Sequence, residues 1–273
     1  VYPKVKLIYM VRSYRLDYYF PSANEKTKKL FAKAYTINCV SRGIMERIQT
    51  DFDLKNVSFI KNPVDFDHIE ALAAKATNNK EQYIVAAGRM SVDVKQFDKL
   101  IETYAKSDLP QKGIALKLLG DGKLMADYKK LAAALNIQEW VHFEGFQENP
   151  FPYFKNALFT VLCSKFEGSP RVLLESLACG TPVVATDVGG MKRIIDEGKT
   201  GVVIKNNDPY PFARKISRFL SMSCDKAASA ESTRASVLRF GWSNIADAII
   251  SEYWTVLKDH SDGFNPIPSH TIL

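Results

Sequence analysis

Short apolar runs alternate with stretches of helical period from one end of the chain to the other, and this alternation restricts the fold more than any other feature. Runs this short cannot form a core alone. Strands separated by crossover helices bury them by lying side by side in a parallel sheet, with the helices packed on its faces. The runs are Lys6 to Met10, Tyr35 to Val40, Ser58 to Lys61, Gln82 to Ala87, Ala115 to Leu119, Val141 to Glu144, Leu158 to Cys163, Pro182 to Thr186 and Gly201 to Ile204. Between them Asn24 to Ala34, Arg42 to Phe52, Phe97 to Lys106, Lys123 to Leu135, Arg171 to Ala178 and Pro209 to Met222 read as helices, with a last helix near Ser243 to Leu257. The expected class is α/β, with a doubly wound, Rossmann-like parallel sheet.

At 273 residues the chain has room for about two domains. An Asn62-Pro63 turn, a helical segment and the polar run Ala76 to Glu81 mark the junction. The expected division is a small first region at 1–62, a linker at 63–80, the main domain at 81–240, a returning helix at 241–258 and a mobile tail at 259–273. The strands before the junction are too few for a whole doubly wound domain. Together with a start at Val1 instead of Met, this leads to the expectation that upstream sequence is missing.

Hydrophobic residues make up 46% of the chain and charged residues 25%, ordinary globular proportions. No window approaches the roughly 18 uncharged apolar residues of a membrane span. Cys39, Cys163, Cys179 and Cys224 have no metal-site spacing, and no basic-then-apolar leader is present, so a reducing, cytoplasmic setting is expected. The net charge of +7 is concentrated early: residues 1–80 carry fourteen Lys/Arg against eight Asp/Glu. Such a field attracts phosphates, nucleic acid or anionic lipid, and charge alone does not choose among them.

The chemistry concentrates after the run Leu158 to Cys163, in Ser164-Lys-Phe-Glu167-Gly168-Ser169-Pro170-Arg171-Val172-Leu-Leu-Glu175. Ser169 before Pro170 reads as an N-cap with proline in the first turn. The helix would then start at a strand's carboxyl end with its unpaired amides exposed, a site that favours an anion. Glu167 precedes the helix and Glu175 lies roughly 8 Å along its axis at ~1.5 Å per residue. Two carboxylates so placed can accept hydrogen bonds from different hydroxyls of one extended ligand. Taken singly, Glu167 is a loop carboxylate and Glu175 a helix-face charge; the combination is the specific signal.

The Glu-x7-Glu stretch, EGSPRVLLESLACGTPVVA, resembles the signature of the "group 1" (family 4) retaining GT-B glycosyltransferases. Gly88-Arg89-Met90 followed by Lys95 is similar to that family's diphosphate-binding pair. Leu118 to Gly122, Val141 to Phe146, Asp187 to Gly190 and Glu197 to Gly201 continue the likeness in order. It implies a GT-B fold in which 81–240 is the nucleotide-sugar donor domain and 1–62 part of a second, acceptor-side Rossmann-like domain. It further implies that Gly88, Arg89 and Lys95 serve the phosphates, Glu175 the ribose, and Gly145 with Phe146 the base. Glu167 and Gly168, with the amides of Ser169, Arg171 and Val172, would hold the transferred sugar; Pro170 has no amide, so this loop offers fewer donors than some relatives do. Glu167, Arg89 and Lys95 are the implied catalytic set, with no metal and no cofactor beyond the substrate, a UDP- or GDP-linked sugar.

The activity so implied is transfer of a hexose or N-acetylhexosamine, with retention, to a glycan or lipid-linked acceptor, as in surface polysaccharide synthesis. The partners expected are the donor and acceptor, without nucleic acid. A GT-B-like sugar-nucleotide epimerase, or a donor-binding fragment inactive without its missing part, are the competing readings. Asp51-Phe-Asp53 and Asp65-Phe-Asp67 match a metal-nucleotide pattern of another fold but lie far from the Glu pair. Gly120-Asp-Gly122 and Gly189-Gly190 fall short of a dinucleotide fingerprint. His142 reads as core or loop. The cluster Arg12 to Phe20 mixes cations with aromatic rings: it is either a contact with a lipid-linked acceptor or the inner face of a membrane, or a packed strand edge.

Overall fold

The computed structural model describes residues 6–13, 15–20, 25–75, 81–205, 213–218 and 226–258. Along the chain run β1 (Ile8–Val11), α1 (Leu16–Tyr19), α2 (Glu25–Ala32), β2 (Thr36–Cys39), α3 (Arg42–Phe52) and β3 (Val57–Phe59). Next come α4 (Phe66–Ala73), β4 (Tyr83–Ala87), α5 (Phe97–Ala105), β5 (Ala115–Leu119), α6 (Met125–Ala134) and β6 (Val141–Gly145). Then follow α7 (Phe151–Asn156), β7 (Thr160–Leu162), α8 (Arg171–Ala178), β8 (Val183–Thr186) and β9 (Gly201–Ile204). The series closes with α9 (residues 213–218), α10 (Lys226–Ala235) and α11 (Trp242–Lys258). Two compact units result, Val1–Pro63 with Trp242–Leu273 and Val64–Gly241.

The first unit holds the parallel sheet β1-β2-β3. On one face Ile37, Cys39, Ile44, Ile48 and Phe52 form its core. On the other face α11 is tied by polar bonds: Asn38 Nδ2 donates to Glu252 Oε2 at 2.8 Å and Ser58 Oγ to Glu252 Oε1 at 2.7 Å. Two apolar members of the Arg12 to Phe20 stretch turn inward. Leu16 and Phe20 are buried in the same core, and the Tyr19 hydroxyl accepts from the Arg12 amide at 3.1 Å. Leu16 and Phe20 therefore follow the packed reading, while Arg12, Arg15 and Asp17 are exposed. The Asp-Phe-Asp patterns also have local uses. Asp51 pairs with Arg47 at 3.2 Å, and Asp65 caps α4 by accepting from the His68 amide at 3.0 Å.

The second unit is a six-stranded, all-parallel sheet in the order β6-β5-β4-β7-β8-β9. Both faces are covered, which is why β4 and β8 read as near-continuous apolar runs instead of alternating ones, with β5 interrupted only by Lys117. Ile84, Ala86, Leu116, Leu118 and Val184 meet Leu100, Ile101, Tyr104 and Tyr128 on one side. Leu162, Val183, Ala185 and Val203 meet Leu173, Leu174 and Leu177 on the other. Each such fully buried aliphatic side chain contributes roughly 1.5–3 kcal/mol. Strand order runs outward from β4 in both directions, so the crossovers reverse between β4 and β7. In open α/β sheets this switch point opens a crevice at the strands' carboxyl ends.

Residues 63–80, expected as a linker, begin with α4, which packs on α7 and α8 inside the second unit. The helical period of α4 was visible, but its partners lie some eighty residues or more downstream. The helix expected over Pro209 to Met222 is described only at 213–218, and the expected tail at 259–273 lies outside the described residues.

Candidate donor site at the sheet switch point

The loops leaving β4 and β7 carry most of the expected site residues. After Ala87 the chain turns at Gly88, whose amide donates to Leu119 O at 2.9 Å, while Met90 N donates to Asp121 O at 2.9 Å. The Gly120-Asp-Gly122 turn serves this contact. A Cβ on Gly120 (φ 132°) would lie 1.9 Å from Gly88 O, and one on Gly122 (φ 153°) 2.3 Å from Met90 C. Glycine is required at both because backbone meets backbone. The turn so held presents Arg89 to solvent, and among the described residues Arg89 makes no ion pair. The Lys95 stem runs against Gly88, whose hypothetical Cβ would sit 2.9 Å from Lys95 Cγ. Gln96 follows in the left-handed region (φ 48°, ψ 50°) although it is not glycine. Sites that over-determine a conformation tolerate such strain.

The loop after β7 docks on this turn. Lys165 N donates to Val94 O at 2.9 Å, and Lys165 Nζ pairs with Asp93 at 2.6 Å. Glu167 is brought to Lys95, with Nζ 2.5 Å from Oε1. The same oxygen accepts from Ser164 Oγ at 2.6 Å. Behind Glu167 stands Gly189 (φ 60°), where a Cβ would lie 2.2 Å from Glu167 O. The Gly189-Gly190 pair is thus a wall of this loop.

Helix α8 has the bounds expected, Arg171–Ala178, but its N-cap is not Ser169. Its N-cap is Pro170 (φ −73°, ψ 95°) and no side chain caps it, so Ser169 is outside the helix. The extended angles of Pro170 itself place the helix boundary there. Leu173 N and Leu174 N donate to Pro170 O at 3.2 and 3.3 Å. The amides of Arg171 and Val172 precede the first such bond and form the helix's positive end. Glu175, with 18% of its side chain exposed, has Arg171 as its ion partner at 3.6 Å. Burial is the larger influence and pushes the Glu175 carboxyl above its usual range, while Arg171 pulls the other way.

Gly145 and Phe146 sit at the end of β6, where a bulge occurs. Leu118 faces Phe143 but Leu119 faces Gly145, so Glu144 is passed over. Gly145 takes φ 71° and its carbonyl accepts from Gly120 N at 2.7 Å, which leaves Phe146 76% exposed. Glu144 is held by the buried Lys117 at 3.7 Å, and Lys117 also pairs with Glu81 at 2.9 Å. His142 is 3.1 Å from Glu81 in the same cluster. Contacts therefore link Gly145, Gly120, Gly88, Lys95 and Glu167. Ser164, Gly189, Gln96 and Lys117 were not expected in these roles; the only sequence signals were the glycine pair and a lone lysine in an apolar strand.

The family model for glycosyl transferases group 1 matches residues 67–235, nearly all of the second unit. The chain belongs to this family. Relatives agree. It is 32% identical over 181 residues to the N-acetylgalactosamine-N,N'-diacetylbacillosaminyl-diphospho-undecaprenol 4-alpha-N-acetylgalactosaminyltransferase of Campylobacter jejuni, covering 64% of this chain and 48% of that protein. It is 30% identical over 222 residues to the lipopolysaccharide core biosynthesis glycosyltransferase LpsE of Rhizobium meliloti, covering 81% and 64%. This group 1 chain thus spans about half to two-thirds of the length of these relatives. A glycosyltransferase structure from Rickettsia africae superposes with a TM-score of 0.76 at 19% identity, over 86% of this chain and 68% of that one. Anabaena Alr3699/HepE in complex with UDP gives 0.75 at 20%, over 92% and 72%. At such identities these likenesses speak to the GT-B fold alone. Among the described residues, no helix is long and apolar enough to cross a membrane.

Proposed function

We propose that the protein takes part in retaining transfer of a hexose or N-acetylhexosamine from a UDP- or GDP-linked sugar to a glycan or lipid-linked acceptor. The observation that carries this reading is the meeting of Lys95 and Glu167 at 2.5 Å at the switch point, with Arg89 on the adjoining turn and the α8 amides beyond. Fixed cations there offset the charge that a departing diphosphate develops, without a metal in this reading. Glu167 orients the sugar, and Glu175 accepts from the ribose hydroxyls. The acceptor hydroxyl attacks from the face the diphosphate leaves, and a phosphate oxygen of the leaving group takes its proton.

The kinship with a diphospho-undecaprenol-linked transferase and a lipopolysaccharide core transferase supports an acceptor of surface-glycan type. A lipid-linked acceptor would place the protein at the cytoplasmic face of a membrane, which co-sedimentation with vesicles tests. For donor binding, the measurement is calorimetric titration with UDP and GDP. Saturable binding lost in the Arg89→Ala, Glu175→Ala double variant is expected; no binding by either nucleotide would overturn the assignment. Product analysis separates transfer from epimerisation, since an epimerase alters the nucleotide sugar with no acceptor present.

A further inference from the structure

We propose that Ser164 is a positioning residue that fixes which oxygen of Glu167 faces the ligand; this rests on the donor-site reading above. Ser164 is 1% exposed, at the end of β7, and its hydroxyl donates to Glu167 Oε1 at 2.6 Å. Lys95 Nζ donates to that same oxygen at 2.5 Å. Both donors thus converge on Oε1, and among the described residues none donates to Oε2. A carboxylate held through one oxygen by two charge-assisted bonds presents the other in a single orientation.

Ser164 is itself held. Its carbonyl accepts from Thr186 Oγ1 at 2.9 Å, and Thr186 is 2% exposed on β8. Gly189, two residues beyond Asp187, closes the loop from behind by contact with the Glu167 backbone. Lys95 is the mobile member of the pair, because a bound diphosphate competes for its ammonium. Ser164 has no such competitor. It keeps Glu167 in place when Lys95 turns to the phosphates, so a residue that touches neither phosphate nor base controls how the sugar is met.

The test compares UDP and GDP with UDP-N-acetylglucosamine, UDP-glucose and GDP-mannose by titration calorimetry, in wild type, Ser164→Ala, Glu167→Gln and the double variant. Ser164→Ala is expected to weaken the sugar nucleotide that binds by about tenfold, the scale of a lost bond to a charged group, while the matching nucleotide diphosphate changes by less than about twofold. Adding Ser164→Ala to Glu167→Gln should cost nothing further, because the serine acts through the carboxylate. Equal losses for sugar nucleotide and diphosphate, or fully additive losses in the double variant, overturn the proposal. If wild type binds no nucleotide, the donor reading fails separately, and a crystal structure of ligand-free Ser164→Ala decides the matter. Glu167 displaced from its position supports the role, and Glu167 unmoved on Lys95 overturns it.

Discussion

Lys95 and Glu167, 72 residues apart in sequence, form an ion pair at 2.5 Å with the acid side chain 11% exposed. The pair joins the β4 and β7 loops at the point where crossovers reverse. Lys95, proposed to serve the diphosphate, and Glu167, proposed to meet the sugar, satisfy each other, so on that proposal each ligand part draws one partner away.

Glu167→Gln should therefore separate the two halves of a donor. Freed from its carboxylate, Lys95 binds the bare diphosphate more tightly, by roughly two- to fivefold for a partly exposed pair. The sugar nucleotide should weaken in the same variant. Titration of UDP or GDP beside the sugar nucleotide checks this; parallel weakening of both would contradict it.

Gly189 and Gly190 make a matched steric test. Both have positive φ, 60° and 83°, yet a Cβ on Gly189 meets Glu167 O at 2.2 Å and one on Gly190 meets nothing within 4 Å. Gly190→Ala should cost about 1 kcal/mol of conformational strain. Gly189→Ala should cost about 1–3 kcal/mol and also displace the Glu167 loop, lowering donor affinity. Denaturant midpoints with nucleotide titration distinguish them, and equal behaviour would remove Gly189 from the site.

Glu175→Gln is expected to stabilise the ligand-free protein while weakening nucleotide binding. The Glu175 carboxyl titrates higher in the folded chain than in the unfolded one, where glutamate titrates at about 4.3. The folded state then binds more protons from that value up to the raised one, so stability falls as pH rises through this window and stays lower above it. Glutamine removes the effect. The difference in Tm between variant and wild type should be smallest near about pH 4 and widen as pH rises from there. A difference that shrinks with rising pH would refute the assignment.

Lys117 lies 4% exposed in β5 between Glu81 and Glu144, with Nζ also 4.5 Å from the Tyr83 ring centroid. Lys117→Met should destabilise by about 1–3 kcal/mol, less than for a fully buried pair because both carboxylates reach solvent. Combining it with Glu144→Gln should recover part of the loss. Chemical denaturation of the single and double variants measures this, and strictly additive losses would show that the pair is uncoupled.

The strands were legible because each is a short apolar run bounded by turn residues; β5 and β9 fall within the limits read from the chain. Helix α7 was not seen, since six residues carry too little period, and α10 is rich in Ala and Ser with no apolar stripe. The capping of α8 was placed one residue early because Ser-Pro has two registers and only the backbone angles choose between them.

By itself the sequence determined the α/β class and the family, because these reside in local period and in a short contiguous signature. The tertiary structure decided how those residues are held. Strand order brought Lys95 to Glu167, and close backbone approach gave Gly120 and Gly189 their purpose. Two donors, Ser164 and Lys95, were brought to converge on one oxygen of Glu167. Contacts between loops 72 residues apart arise from packing the sheet, and no local pattern encodes them.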